Sequence, residues 1–234
     1  MTTTATDDVI FDTDKLLLSL CQSVARVLNA ASGSGITYSG MVQRIHKTCL
    51  KPDIGCFVLF DGGFSGLVIL NFSGQAAMEL YRGAMQQMGL PEHELATSYT
   101  SDEVANMMGE LLNQALGDFT SKIRRELQTH ISHSQPKMVV LNRQVMLSVD
   151  AHLDQPEARR VTFYTARNHI FYLELAIDRT EFVRLTDFEP QAAPDPDALM
   201  AQGSASPTPT PSSATAPSGN GDDDTAELLR SLGM

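Results

Sequence analysis

The pair in this sequence best placed to do chemistry is a carboxylate and a carboxamide three residues apart, Glu110 and Asn113. Helical positions three and four apart share a face. Asn106, Glu110, Asn113 and Gly117 therefore fall on one stripe, and the apolar Val104, Met108, Leu111, Ala115 and Phe119 fall on another suited to a core. A carboxamide oxygen accepts a hydrogen bond from water, so Asn113 can orient a water molecule without acting as a base. With a carboxylate one turn away, such a stripe can dock a partner protein and aim the water at a phosphate on it.

The elements that must hold this stripe follow from periodicity and punctuation. Thr100-Ser101-Asp102-Glu103 has capping-box spacing and opens a helix that runs to about Thr129, with Lys122, Arg124 and Arg125 suiting its negative end. Asp12 or Thr13 caps an earlier helix, carried by Leu17, Leu20, Val24, Val27 and Leu28 to about Asn29 and ended at Ala31-Ser32-Gly33-Ser34-Gly35. Strand-like runs cover 36–50, 54–60 and 67–72, the last two joined by an Asp61–Gly66 hairpin connection. Ser73 caps a helix that reaches Met88 and stops at Gly89 and Pro91. Runs over 138–149, 160–166 and 170–177 finish the domain, with Asn168-His169 as the last turn. Sequential hairpins predict an α+β fold, an antiparallel sheet with helices packed on one face.

The chain divides by composition. Residues 1–12 are a loose polar start, 13–189 form the domain, and 190–221 are a disordered linker of Ala, Pro, Ser, Thr, Gly and Asp. Residues 222–234 begin with acids and cluster Leu228, Leu229 and Leu232 on one side of a short helix, which forms best in a partner's groove.

Bulk properties exclude several classes. A net charge of −11 argues against nucleic acid, and no apolar run is long enough to span a membrane. Three cysteines, Cys21, Cys49 and Cys56, lack metal-type spacing; without a signal peptide they read as reduced thiols of a cytoplasmic protein. His130 and His133 have ligand-like spacing, but no acid or cysteine pattern completes a metal set, and they read as ordinary histidines at a helix end. Met78, Met85, Met88, Met107 and Met108 read as core filler, and Arg159-Arg160 as a charged turn entering a strand. Gly-rich phosphate loops, nucleophile elbows and zinc signatures are missing.

The stretch from Phe64 to Pro136 resembles the CheX branch of the CheC/CheX/FliY chemotaxis phosphatases. Glu110-Leu111-Leu112-Asn113 matches the Glu-x-x-Asn of that family's long helix, Gly109 and Gly117 flank it, and Pro136 stands where a downstream proline is expected. Asn106 departs from the pattern, which has Asp or Ser there, and no second Glu-x-x-Asn lies on the first helix. The end of the chain, Glu227-Leu228-Leu229-Arg230-Ser231-Leu232-Gly233-Met234, resembles the C-terminal CheY-binding peptide of the unrelated CheZ phosphatases, with Met234 in place of an aromatic.

The resemblance implies hydrolysis of the phospho-aspartate of a CheY-type response regulator. Asn113 would hold the water and Glu110 would anchor the regulator through its active-site lysine. Glu227, Leu228, Leu229, Ser231, Leu232 and Met234 would recruit it. The protein needs no cofactor of its own, since the regulator carries the Mg²⁺, and the family expectation is a homodimer. A second class stays open: a CheX-like adaptor or flagellar-switch module that binds a regulator without hydrolysing its phosphate.

Overall fold

Residues 10–141, 147–148 and 156–183 are described by the computed structural model of the chain, all within one compact unit, Met1–Gln191. The linker 190–221 and the peptide 222–234 lie outside the described residues.

Caps set most of the helix starts. After β1 (Ile10–Phe11), Asp12 accepts a hydrogen bond from the Lys15 amide at 3.0 Å and opens α1 (Thr13–Ser32). Gly33, at φ +61°, ends it by donating its amide to the Asn29 carbonyl. The helix thus runs three residues past the predicted end, because the αL cap is Gly33. Next come β2 (Thr37–Ile45), β3 (Cys49–Leu50), β4 (Ile54–Gly62) and β5 (Gly66–Phe72). Ser73 caps α2 (Gly74–Gln87) through the Ala76 amide at 3.2 Å. A single 3-10 turn at Glu92–Glu94 leads to α3 (Asp102–Leu127). The chain continues as β6 (Ile131–His133), β7 (Lys137–Val140), β8 (Leu147–Ser148), β9 (Pro156–Tyr164), β10 (Ile170–Asp178) and β11 (Phe182–Val183).

The sheet is antiparallel and open, seven strands in the order β2-β9-β10-β5-β4-β6, with β7 also on β4. β6 pairs with one end of β4, Phe60 opposite His133, and β7 with the other, Ile54 opposite Val140. Pro136 stands in the break between them. β1 pairs with β11 and β3 with β8.

Strand β5 explains how the layers stack. All seven of its residues are buried, an apolar run broken only by Asn71, whose carboxamide accepts from the Lys51 amide and donates to the Cys49 carbonyl. Val68, Leu70 and Phe72 enter the large core shared with α1, α2 and α3, which places all three helices on one face. Leu67 and Ile69 point the other way and join Leu50, Leu141, Ala158 and Ala176 in a smaller core. Phe72, Phe171 and Phe163, from three adjacent strands, stack at ring-centroid distances of 4.7 and 4.9 Å.

Several expectations need correction. Arg159 and Arg160 are not a turn but sit inside β9. Arg160 pairs at 2.7 Å with Glu174, which is 0 % exposed and also accepts from the Cys49 amide at 2.9 Å. A charge there is tolerable only because it is paired and hydrogen-bonded, and local charge density could not announce a partner fourteen positions away. Met88 is no core filler: it is 65 % exposed as the C-terminal cap residue of α2. His133 belongs to β6, not to a helix end.

Candidate functional site

Helix α3 is fixed from both ends and along one side. Ser101, not Thr100, is its cap, accepting from the Val104 amide at 3.4 Å. Asp102 and Glu103 sit in its first turn and Arg124 and Arg125 in its last, each complementing the helix dipole. Val104, Met108, Leu111, Ala115 and Phe119 are buried as the spacing predicts, together with Met107, Leu112, Leu116 and Ile123. Asp118 clamps α3 to α1 through an ion pair with Arg26, and Lys122 lies 3.6 Å from the same carboxylate. Burial, with the Arg26 charge second, holds the Lys122 amine below its ordinary pKa.

That packing turns the polar stripe outward. Asn106 and Glu110 are exposed and Asn113 is half-buried, one helical turn from Glu110. Glu110 Oε1 accepts a hydrogen bond from Gln114 Nε2 at 3.0 Å. Gln114 was not singled out by motif spacing, although its i,i+4 relation to Glu110 was readable. The Asn113 carboxamide makes no hydrogen bond with another described residue, which leaves both its donor and its acceptor open.

The two glycines flanking this pair are not required by packing. A Cβ at Gly117 would meet nothing within 4 Å, and one at Gly109 would make an ordinary 3.6 Å contact with Met138. Glycine inside a helix costs about 1 kcal/mol relative to alanine. At Gly117 it leaves a clear floor beside Asn113, and its carbonyl is taken by Thr120 and Ser121 hydroxyls at 3.1 and 2.7 Å.

Other features marked in the sequence are structural. Ser65 donates its hydroxyl to Asp61 at 2.5 Å and so holds that carboxyl below its ordinary pKa, with help from the Gly62 amide. His130 lies 3.3 Å from Arg124 and His133 touches the Ser134 carbonyl; among the described residues no group of three His, Cys, Asp or Glu is arranged to hold a metal ion. Cys21 and Cys56 are buried, which pushes both thiols up to about 12. Among the described residues no helix is long and apolar enough to cross a membrane. Glu227, Leu228, Leu229, Ser231, Leu232 and Met234 lie outside the described residues.

The three-helix, seven-stranded architecture is that of CheX-type chemotaxis proteins. CheX from Desulfovibrio desulfuricans is 14% identical, with a TM-score of 0.56 over 70% of this chain and 99% of that one. A CheC-like superfamily protein from Shewanella sp. PV-4 is 15% identical, with a TM-score of 0.58 over 72% and 99%. The CheX of Borrelia burgdorferi, solved in a complex with CheY, BeF3 and Mg²⁺, is 15% identical, with a TM-score of 0.53 over 70% and 98%. At this identity the similarity establishes the fold. A family model described as "Protein of unknown function (DUF3334)" matches residues 7–234, and the chain belongs to that family. No curated protein matches the sequence.

Proposed function

We propose that this protein is a phosphatase for the phospho-aspartate of a CheY-type response regulator. The observation that carries the reading is the outward-facing pair Glu110 and Asn113, one turn apart on the long helix of a CheX-like fold. An acyl phosphate is labile, and the regulator brings its own Mg²⁺ and lysine. What remains to be supplied is an attacking water held in line, and such reactions depend on positioning and electrostatics. Asn113, with both hydrogen-bonding groups open, holds that water. Glu110, steadied by Gln114, accepts from the regulator's lysine. The gap at Gly117 admits the receiver domain's surface. A partner of this kind is supported by the CheX–CheY complex among the solved structures of the same fold.

The tail recruits the substrate in this reading. A linker of about thirty residues has a root-mean-square reach of roughly 30 Å. It raises the regulator's effective concentration near α3 to about the millimolar range.

The test is the decay of a phosphorylated CheY-type regulator with and without the protein. Acceleration by the wild type, reduced in Glu110→Ala through weaker binding, is expected. Unaltered decay with binding retained would leave the non-catalytic adaptor as the function.

A further inference from the structure

Helix α2 borders a second polar constellation that the α3 stripe does not use. A cleft of about 1000 Å³ opens among the end of α1, one face of α2 and the β9–β10 turn, and no residue of the Asn106–Gly117 stripe lines it. That volume lies at the upper end of the roughly 300–1,000 Å³ typical of small-molecule sites. Arg82 of α2 and Arg167 of the turn both line it. Both are exposed, and neither makes an ion pair or hydrogen bond with another described residue. In a chain of net charge −11, two unpartnered guanidinium groups on one cleft are a local exception.

The acids of the cleft wall are mostly engaged. Asp53 accepts from the Gly74 amide at 2.7 Å, so the start of α2 is already capped. Glu79 Oε2 accepts from the Thr165 hydroxyl at 2.6 Å and lies 2.7 Å from Nδ1 of His169. Glu92 is exposed at the edge. A carboxylate only accepts, so Nδ1 of His169 is the donor to Glu79, and the pair fixes the turn against α2.

The turn that carries Arg167 is held in place. The Thr165 amide donates to His169 O at 3.0 Å and the Asn168 amide to Thr165 O at 2.9 Å. The Ala166 amide donates to Ser34 O at 2.8 Å, and Asn168 takes φ +60°. Glu79 ties this turn to α2, so Arg82, Arg167 and His169 belong to one rigid frame.

We propose that this cleft binds a small phosphorylated ligand, its phosphoryl oxygens held by Arg82 and Arg167, with His169 fixing the turn that carries Arg167. Guanidinium forks match phosphate and carboxylate alike. Two guanidinium forks from two elements offer more N–H donors than the two oxygens of a planar carboxylate can use, and so suit a tetrahedral anion with three free oxygens. The inference is independent of the phosphatase reading.

Calorimetric titration of the full chain at physiological salt, with inorganic phosphate, pyrophosphate and ATP as probes, tests it. Saturable one-site binding of at least one probe is expected, weakened about tenfold or more in Arg82→Ala and in Arg167→Ala. Arg124→Ala, a control at the end of α3, leaves it unchanged. The proposal is overturned by no saturable binding of any probe. It is overturned equally by binding that survives the Arg82→Ala, Arg167→Ala double variant.

Discussion

At the scale of single residues, the proposed chemistry and the stability of α3 can be tested separately. Gly117 has open space where a side chain would go, so Gly117→Ala should stabilise the protein by about 1 kcal/mol in denaturant melts. Gly117→Phe should fold equally well yet abolish regulator binding, because the ring fills the floor beside Asn113; retained binding would show that the regulator docks elsewhere. The buried thiols give an alkaline prediction. Burial raises the folded pKa of Cys21 and Cys56 from 9.0 to about 12, so below pH 9 both states hold the proton equally. Between pH 9 and 12 only the unfolded chain releases it, and stability falls as pH rises. The loss is about 1 kcal/mol per thiol by pH 10. Urea melts at pH 8 and pH 10 should show a smaller drop in a Cys21→Ala, Cys56→Ala variant than in the wild type.

At the scale of elements, the long helix is held by what lies beneath the stripe. Phe119 is 1 % exposed and meets Phe60 edge-on at 6.5 Å, so Phe119→Ala should cost about 3–5 kcal/mol and lower the melting midpoint with activity lost in proportion to unfolding. The geometry of α3 was legible in the sequence because both of its stripes are local: the buried apolar positions and the outward Glu110–Asn113 pair share one period of 3.6. The helices and the long strands were legible for the same reason, since Ser73, Ser101 and Gly33 act on neighbours within four residues. Short β1, β6 and β11 were not, being two or three residues long and defined by partners distant in the chain. Arg160 looks like surface charge until β9 and β10 are laid side by side, where it stands opposite Glu174. The Arg82, Arg167 and His169 cleft gave no sequence signal at all, because its residues share no period and meet only through the β9–β10 turn.

At the scale of the whole molecule, the proposal joins a rigid catalytic face to a recruiting tail. Deleting residues 222–234 should raise KM for the phosphorylated regulator more than it lowers kcat, since tethering changes encounter and not the water's position. Steady-state constants unchanged by the deletion would remove the tether. Light scattering of the full chain tests the dimer that the resemblance implies, with twice the 25.5 kDa chain mass expected. The central claim is that Asn113 positions the attacking water. It is tested most directly by single-turnover decay of a phosphorylated CheY-type regulator under saturating protein, wild type against Asn113→Ala. Asn113→Ala is predicted to bind the regulator as the wild type does while its decay falls back to that of regulator alone. Decay as fast as with the wild type would contradict the claim.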